Sequence, residues 1–534
     1  MKKMGRKRKQ TNDQKMEPIL TENSKGKVSF AEKLSRLDWR DIERGDFNKE
    51  IRLDLSDRLF SWEKVVKDGD NAIIPAFHFQ HPYAPLMEDF CQHLGKLVFS
   101  LRWSTHKMKD TGEPVGVFWP VIVHEIKGLY LRVQFFGDSD EDLDELYWVN
   151  LLSEELKPFD GDLKALLFVA PPHIKKTMGL VKLEDQVAYL ERNMEGLELM
   201  QTPQSFLKKR KKMLCGNKYR EGERVELLDN LNSDRVRVAV VQQVRGRRAN
   251  FKVLSEYYDV DADSRKNDED RQYETDHTWI DESSPLIFHV GWAALADYTL
   301  EVSDKADYRD HARRVAQHID QKKSLNYFAD DATLSKTMSD CRSDPKYEDF
   351  QVGMKLEFLD WLDADMLNCL KVGTIIKILP NNYLLIESDE GKRDDVLPVH
   401  ASSAYIFPPD YAYKHEIPLF DPQAKKAVKN FNWSDYLERT KSKPAPSSLF
   451  HETPEIRKLE EIFPIGSHLE ASCHNESHLY FPSKVKAIHG RLIEVQYLGY
   501  SEEYTELFDY KSSDLFPVGH SEGFGLTLLA PQDK

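Results

Sequence analysis

The chain has 534 residues, of which 40% are hydrophobic and 11% aromatic; this is too long for one hydrophobic core and predicts three to five packed domains. Its 90 acidic and 75 basic side chains give a net charge of −15, so we expect nucleic-acid binding to be at most weak and non-specific. No apolar run reaches the roughly 18 residues that a membrane span needs. The five scattered cysteines predict no disulfide framework, no metal site and no cofactor site.

The N-terminal segment, residues 1–54, is a basic leader that we expect to be largely disordered. It begins MKKMGRKRKQ, and the run of four basic residues at 6–9 is typical of a nuclear import signal. We therefore predict a nuclear protein.

One long phrase is written twice in this chain. It reads FSWEKVVKDGDNAIIPAFHF at residues 60–79 and FNWSDYLERTKSKPAPSSLF at residues 431–450, with a partial copy, AYLERN, at 188–193. Helical spacing followed by proline predicts a short helix continued by an extended strap, which we call an arm. Residues 305–325, KADYRDHARRVAQHIDQKKSL, are predicted to form a helical connector.

Two further phrases recur along the chain. A glycine followed by an apolar–Glu step occurs in GERVELLDN from residue 222, GMKLEFLDW from 353 and GSHLEASCH from 466, with a weaker copy, GKLVFSLRW, from 95. A Ser-Ser turn opens the segments at 283–291, 402–409 and 512–519. Because self-similarity at a regular spacing indicates a repeat architecture, we predict four units of about 100–130 residues each.

Short strands are predicted inside each unit. In RLIEVQY at 491–497, Ile493, Val495 and Tyr497 share one face, and apolar alternation on both sides of a Gly or Asn turn is typical of a hairpin. Such turns are expected near residues 127–128, 245–246, 380–382 and 489–490. Closely spaced short strands favour a small barrel, so the predicted fold class is mainly β.

The arm, the Gly-x-x-Leu-Glu step, the small barrel and the Ser-Ser exit together resemble the malignant brain tumour (MBT) repeat family, and most of all its four-repeat chromatin proteins. The resemblance covers roughly residues 55–530 and is strongest for units two to four. It implies four tandem MBT repeats, each a Tudor-like small β-barrel with a helical or extended N-terminal arm that clasps the neighbouring barrel. We therefore expect Trp433 in the arm of repeat four to be largely buried between this repeat and its neighbour. The repeats are expected at 55–174, 180–304, 320–421 and 428–530.

The resemblance also implies a function. MBT proteins are similar in reading lysine methylated once or twice on histone tails, without catalysis, so we expect methylated histone tails and other chromatin proteins as partners and a role in transcriptional repression. A methylated ammonium keeps its charge but is poorly hydrated, so it needs aromatic faces, and any remaining N–H needs an acceptor. The family pattern supplies an Asp after the Leu-Glu, an Asn three residues later and aromatic residues spaced i, i+3, i+7.

Repeat four has the aromatic part of this pattern. Tyr497, Tyr500 and Tyr504 stand at the expected spacing, with Cys473 at the carboxylate position and Glu476 where the Asn would be. A thiol is a poor acceptor for an ammonium N–H. We therefore expect this repeat to discriminate weakly against trimethyl-lysine, or to accept it, unless the Glu476 carboxylate reaches the floor of the pocket.

The other repeats match the pattern less completely. Repeat two has the acidic corner, Asp229 and Asn232, with Tyr257 as an aromatic wall, and is a possible second pocket. Repeat three keeps Asp360 but has glutamates where aromatic residues belong. Repeat one has Arg102 at the carboxylate position, which predicts that a cationic ligand is repelled.

Two other classes of function, an enzyme and a protein-interaction scaffold, are alternatives to a reader. The chain contains no GxGxxG, P-loop, GxSxG or HExxH motif, which disfavours an enzyme. A protein-interaction scaffold in a chromatin complex, with no working methyl-lysine pocket, stays open. A scaffold would bind its partners without the tyrosines, whereas a reader would depend on them.

Overall fold

The computed structural model describes residues 60–529, apart from residues 68–70, 108–111, 139–146, 165, 181, 196, 203–204, 230–231, 255–276, 303–305, 333–343, 392–395, 475–478 and 502–503. The predicted leader, residues 1–54, lies outside this range. Within it the predicted fold class is confirmed, because strands predominate and form four sheets, one in each expected repeat.

The four sheets are built from the following strands. Repeat one contains β1 (Leu97–Lys107), β2 (Pro114–Lys127), β3 (Tyr130–Phe135), β4 (Tyr147–Asn150) and β5 (Leu156–Pro158), with β6 (Met200–Gln201) added by the next arm. Repeat two contains β7 (Arg224–Leu228), β8 (Arg235–Arg245), β9 (Arg248–Val253), β10 (His277–Asp281), β11 (Ile287–Phe288) and β12 (Thr299–Glu301). Repeat three contains β13 (Met354–Phe358), β14 (Leu370–Leu379), β15 (Tyr383–Ser388), β16 (Val396–His400), β17 (Ile406–Phe407), β18 (Leu419–Asp421) and β19 (Lys426–Val428), with β20 (Lys443–Pro444) added by the next arm. Repeat four contains β21 (His468–Ser472), β22 (Tyr480–His489), β23 (Leu492–Tyr497), β24 (Thr505–Asp509) and β25 (Leu515–Phe516).

All four sheets follow one plan. The order in repeat four is β24-β23-β22-β21-β25, and the orders β4-β3-β2-β1-β5, β10-β9-β8-β7-β11 and β16-β15-β14-β13-β17 repeat it. The second strand of every sheet has a register shift against the third at the same place, between Val485 and Ala487 in repeat four. Because a bulge bends and twists its strand, it helps five short strands curl around an apolar interior.

The hairpins between the second and third strands turn where the sequence predicts them. Gly128, Gly246 and Gly490 have positive φ at three of these turns, and repeat three uses Asn381 and Asn382 instead. These are the residue types that reach the left-handed region at least steric cost.

Helices lie mainly in the arms and directly after the fifth strands. The arm helices are Glu63–Lys67, Ala84–Cys91, Pro172–Met178, Leu183–Met194, Ser205–Cys215, Ala306–Asp320, Trp433–Thr440 and Ile456–Ile462, and the exit helices are Trp292–Ala296, Tyr411–Lys414 and His520–Phe524. Ala306–Asp320 confirms the predicted connector. The helix Trp433–Thr440 has Asn432 as its N-cap, and the Asn432 side chain accepts from the Asp435 N–H at 3.2 Å. This helix buries Trp433 and Tyr436 on one face. None of the helices in the described residues combines the length and the hydropathy needed to cross a lipid bilayer.

Each arm pairs with the first strand of a neighbouring barrel. Parallel pairing joins β6 to β1 and β20 to β13, and isolated parallel bridges join Asp331 to Arg224 and Ile73 to His468. The arms of repeats two, three and four therefore lie on the barrel that precedes them. The arm of repeat one lies on the barrel of repeat four, so the chain closes on itself.

A buried glutamate fixes two of these arms through a tryptophan. Trp433 Nε1 donates to Glu357 Oε1 at 2.7 Å, and Trp62 Nε1 donates to Glu470 Oε1 at 2.8 Å. Both tryptophans are buried, which confirms the expectation for Trp433. Each glutamate also accepts from the start of an exit helix, as in the 2.7 Å bond from Gly519 N to Glu470. The Glu of the Gly-x-x-Leu-Glu phrase thus joins strand, exit helix and arm.

Burial raises the pKa of Glu357 to about 8 and that of Glu470 to about 7, although the hydrogen bonds they accept favour the ionised form. The pKa of each carboxyl is therefore higher in the folded than in the unfolded chain. Its contribution to stability is fully present below about pH 4.5 and is lost as the pH rises through 7 to 8.

Repeats two, three and four meet around a central cavity of about 440 Å³. The Ser-Ser turns at 283–284, 402–403 and 512–513 all line it. The Arg248 guanidinium of repeat two donates to Ser472 Oγ of repeat four at 2.8 Å, and the Tyr405 hydroxyl of repeat three donates to Ser512 Oγ at 3.3 Å. The first contact joins repeats two and four, and the second joins repeats three and four, whose proximity matters for the site described next.

Candidate functional site

A cleft of about 590 Å³ opens in repeat four, where the three predicted tyrosines meet. Tyr497 ends β23 and is buried, Tyr500 in the following turn is half-buried, and Tyr504 is 64% exposed. The ring centroids of Tyr497 and Tyr500 lie 6.3 Å apart and those of Tyr500 and Tyr504 6.2 Å apart, with interplanar angles of 73° and 70°. Neighbouring rings are steeply inclined and border a common space.

A fourth ring, Phe481 on β22, completes the aromatic lining and was missed by the sequence patterns. Its centroid lies 4.6 Å from that of Tyr497 and 5.5 Å from that of Tyr500. The strand register is what identifies Phe481 as part of the lining, because Phe481 lies two residues before Ser483, the cross-strand partner of Tyr497. Because side chains two apart on a strand share a face, Phe481 and Tyr497 point to the same side of the sheet.

The floor of the cleft carries a carboxylate, Glu506 of β24, which is 4% exposed. Cys473 Sγ donates to its Oε1 and the His474 N–H to its Oε2, both at 3.0 Å. The expectation that this floor lacks a carboxylate is therefore wrong, and the predicted alternative, Glu476, lies outside the described residues. Burial, together with the nearby charge of Glu506, raises the pKa of Tyr497 well above its ordinary value, so this phenol stays neutral.

One side of the cleft comes from repeat three. The lining residues of that repeat are Ala364, Asp365, Leu367 and Asn368, and Leu529 contributes from the C-terminal end of the described chain. The Leu507 N–H donates to the Leu367 carbonyl at 2.9 Å, next to Glu506 in sequence, so the repeat-three loop is bonded to the strand that supplies the floor.

A family model described as "mbt repeat" matches residues 223–307, 354–426 and 467–534, which fall in repeats two, three and four. The chain therefore contains repeats of the MBT family. Its relatives include protein lin-61 of Caenorhabditis elegans, 28% identical over 93% of this chain and 81% of the relative, and malignant brain tumor repeat protein 1 of the same organism, 28% identical over 88% and 86%. Polycomb protein Sfmbt of Drosophila melanogaster is 26% identical over 76% of this chain and 31% of its own length.

A solved structure has the same fold. The four MBT repeats of Drosophila Sfmbt, crystallised in complex with the peptide RHR(me)KVLR, match with a TM-score of 0.68 and 23% sequence identity, over 89% of this chain and 99% of that one. This match supports the four-repeat architecture described above.

In MBT repeats two and three, a cation occupies the position that Phe481 has in repeat four. Arg237, Lys371 and Phe481 each pair with the residue that follows the buried glutamate of the first strand, namely Leu227, Phe358 and Ala471. The three side chains are therefore equivalent in register, and each belongs to the second strand of its sheet.

In MBT repeat two, this cation neutralises the predicted acidic corner. The Arg237 guanidinium lies 2.6 Å from Asp229 Oδ2, and both side chains are largely buried. Asn232 is exposed, and its backbone carbonyl accepts from the Arg235 N–H at 3.1 Å. Tyr257 lies outside the described residues. A second pocket here stays a prediction, and it would require the ligand to displace Arg237 from Asp229.

MBT repeat three holds its cation more completely. Lys371 is 1% exposed, and its Nζ lies 2.9 Å from Asp360, 2.6 Å from Asp363 and 3.7 Å from Glu390. The predicted acidic residue, Asp360, is thus already paired with an ammonium group of the chain itself.

MBT repeat one departs from the expected alignment by one residue. Glu226, Glu357 and Glu470 all pair with the second residue of the fifth strand, and Ser100 does so in repeat one by pairing with Lys157. The first strand of this repeat has one extra residue after Gly95, which the sequence pattern could not show.

The expectation that Arg102 occupies the carboxylate position is consequently wrong. Trp103 stands there instead, and its Nε1 donates to the Val169 carbonyl at 2.8 Å. Trp119, which is fully buried, takes the position of Phe481 by pairing with Leu101. Packing by two indole rings, rather than repulsion by a guanidinium, distinguishes this repeat.

Proposed function

We propose that this protein is a non-catalytic chromatin reader that binds methylated lysine of histone tails in the cleft of repeat four. One observation carries the proposal: the rings of Phe481, Tyr497, Tyr500 and Tyr504 border a space whose floor is the buried carboxylate of Glu506. Repeats two and three, in contrast, hold a cation of their own at the equivalent place.

The chemistry of the cleft suits a partly methylated ammonium group. A ring face attracts a poorly hydrated cation by about 0.5–2 kcal/mol, depending on how far the cation is desolvated. Glu506 accepts from Cys473 and His474 and also lies beside the Tyr497 hydroxyl; a carboxylate has about four acceptor positions, so capacity remains for the N–H of mono- or dimethyl-lysine. Trimethyl-lysine has no N–H, so it keeps the attraction between opposite charges but gains no hydrogen bond from this acceptor. We therefore propose a preference for the lower methylation states, which replaces the expectation based on Cys473.

The relatives support a chromatin setting. One of them is named a Polycomb protein, and the solved Sfmbt repeats were crystallised with a peptide whose methylated lysine stands among basic residues. For this chain we propose methylated histone tails and other chromatin proteins as partners, a nuclear location and a role in transcriptional repression. The net charge of −15 agrees with nucleic-acid binding that is at most weak and non-specific.

The test uses the full chain and one histone-tail peptide in unmodified, mono-, di- and trimethyl forms. The Tyr500→Ala variant should bind the monomethyl peptide about tenfold more weakly, because it loses one ring of about 1.4 kcal/mol. Tyr413→Ala is the matched control, since Tyr413 is 62% exposed on repeat three and lies outside the cleft. The Tyr413→Ala variant should bind the monomethyl peptide as tightly as the wild-type protein does.

Two outcomes would overturn the proposal. One is a wild-type protein that binds methylated and unmodified peptides equally. The other is a Tyr500→Ala variant that binds as tightly as the wild type. Retention of chromatin partners together with either outcome would favour the scaffold.

A further inference from the structure

We infer that the reading site is shared by two repeats, and that Asp365 of repeat three selects a peptide with a basic residue beside the methylated lysine. This inference rests on the proposed function and adds a residue class to it. It concerns the loop of repeat three between β13 and β14, which forms one wall of the repeat-four cleft. None of the residues predicted for this cleft lies in that loop.

The loop is held firmly in place. Lys371 Nζ lies 2.6 Å from Asp363 Oδ2, and the N–H groups of Asp365 and Met366 donate to Asp363 Oδ1 and to its carbonyl at 3.3 and 3.0 Å. At its far end the Leu367 carbonyl accepts from Leu507 of repeat four. The position of Asp365 is therefore set by both repeats.

The carboxylates near this loop differ in what they face. Asp360 and Asp363 both contact the buried ammonium of Lys371. Asp365 is exposed and lines the cleft, and among the described residues none donates a hydrogen bond or contributes a salt bridge to its carboxylate. Of these three acidic side chains, it is the one whose charge faces an incoming ligand.

The distances favour a residue next to the methylated lysine. Consecutive Cα atoms are about 3.8 Å apart, and arginine or lysine side chains are long and flexible. A basic side chain one or two positions from the lysine in the cage could reach the wall of the same cleft. An exposed ion pair contributes little, so we expect a gain in affinity of about twofold to fivefold, and this gain should shrink in high salt.

The experiment measures the coupling between Asp365 and a peptide charge. Full-length protein is titrated with peptides of neutral residues around one monomethyl-lysine, each carrying a single arginine at position −2, −1, +1 or +2. At least one position should show the twofold to fivefold gain in wild type. Asp365→Asn should abolish that gain, so that this variant binds the arginine peptides and the neutral peptide with the same affinity.

The control variant is Asp297→Asn. Asp297 lies in repeat two, its side chain is 100% exposed and its φ is 51°, a conformation that asparagine also adopts readily. This substitution changes the net charge by the same amount and should keep the gain from arginine. If no arginine position increases the affinity, or if the gain survives in Asp365→Asn, the inference is wrong. If instead binding does not depend on lysine methylation or on Tyr500, the proposed function itself fails.

Discussion

Repeats three and four place opposite side chains at the same point of the same sheet. In repeat three, the second strand supplies Lys371, and the residue three positions after the buried glutamate is Asp360, 2.9 Å from its Nζ. In repeat four, the corresponding pair is Phe481 and Cys473. Strand order and register are the same in both repeats.

Two positions decide whether this barrel is open to a cation. A buried ammonium surrounded by carboxylates satisfies the acidic corner from within, so an external cation would have to displace it and leave it unpaired. When the cation is exchanged for a ring and the acid for a thiol, the same place becomes an aromatic wall. The carboxylate then comes from a different strand, in the form of Glu506.

Lys371→Ala should have the largest effect on repeat three. Removing the ammonium leaves Asp360, Asp363 and Glu390 facing one another without their shared partner, and breaking a buried ion pair of this kind costs about 3–5 kcal/mol. We expect a loss of this size in the free energy of unfolding, measured by chemical denaturation at pH 7.

A matched control separates charge from packing. Lys371→Met keeps much of the side-chain volume but also removes the ammonium, so it should recover little of the loss. A Met variant as stable as the wild type would mean that the ammonium contributes only volume, and that repeat three is not neutralised from within.

A second substitution would turn the open pocket into the filled one. Phe481→Lys removes a ring of the cage and introduces a cation beside Glu506, as Lys371 stands beside Asp360. Methyl-lysine peptide should bind at least about thirtyfold more weakly, a change of about 2 kcal/mol, because one aromatic face is lost and a like charge is gained. Peptide titration of the folded variant measures this effect.

Phe481→Met is the control for the lost ring alone, and it should weaken binding less than Phe481→Lys does. Equal losses in the two variants would show that the added charge has no effect. The proposed equivalence between the built-in cations and the ligand would then be wrong.

The sequence predicted the parts of this protein that depend on local patterns. The arms, the hairpin turns at Gly128 and Gly490 and the buried Trp433 follow from spacing within a few residues. The resemblance to the MBT family added Tyr497, Tyr500 and Tyr504, whose spacing matches the aromatic positions of the family pattern because they lie on one strand and the turn after it.

The residues that were missed depend on pairing between strands. Phe481 reaches the cleft through its register against β23, and Glu506 lies on β24, more than 30 residues after the position searched for a carboxylate. The extra residue in β1, which moved Trp103 into the place assigned to Arg102, is likewise invisible until the strands are paired. The contribution of Asp365 requires two repeats to be placed side by side, which no single repeat encodes.

The smallest expected effect is on the methylation state, and it tests whether Glu506 does for a ligand what Asp360 does for Lys371. Glu506→Gln is nearly isosteric and removes the charge. A hydrogen bond to a charged group contributes about 1.5–3 kcal/mol, and a neutral amide oxygen retains part of it, so the ratio of monomethyl to trimethyl affinity should fall by about tenfold. Cys473→Ser is the control, because a hydroxyl can still donate to Glu506 in place of the thiol that lies 3.0 Å away, and it should leave the ratio unchanged. If Glu506→Gln keeps the wild-type ratio while Cys473→Asp changes it, the acceptor belongs at position 473, as the family pattern has it, and Glu506 is only a structural partner of the cysteine.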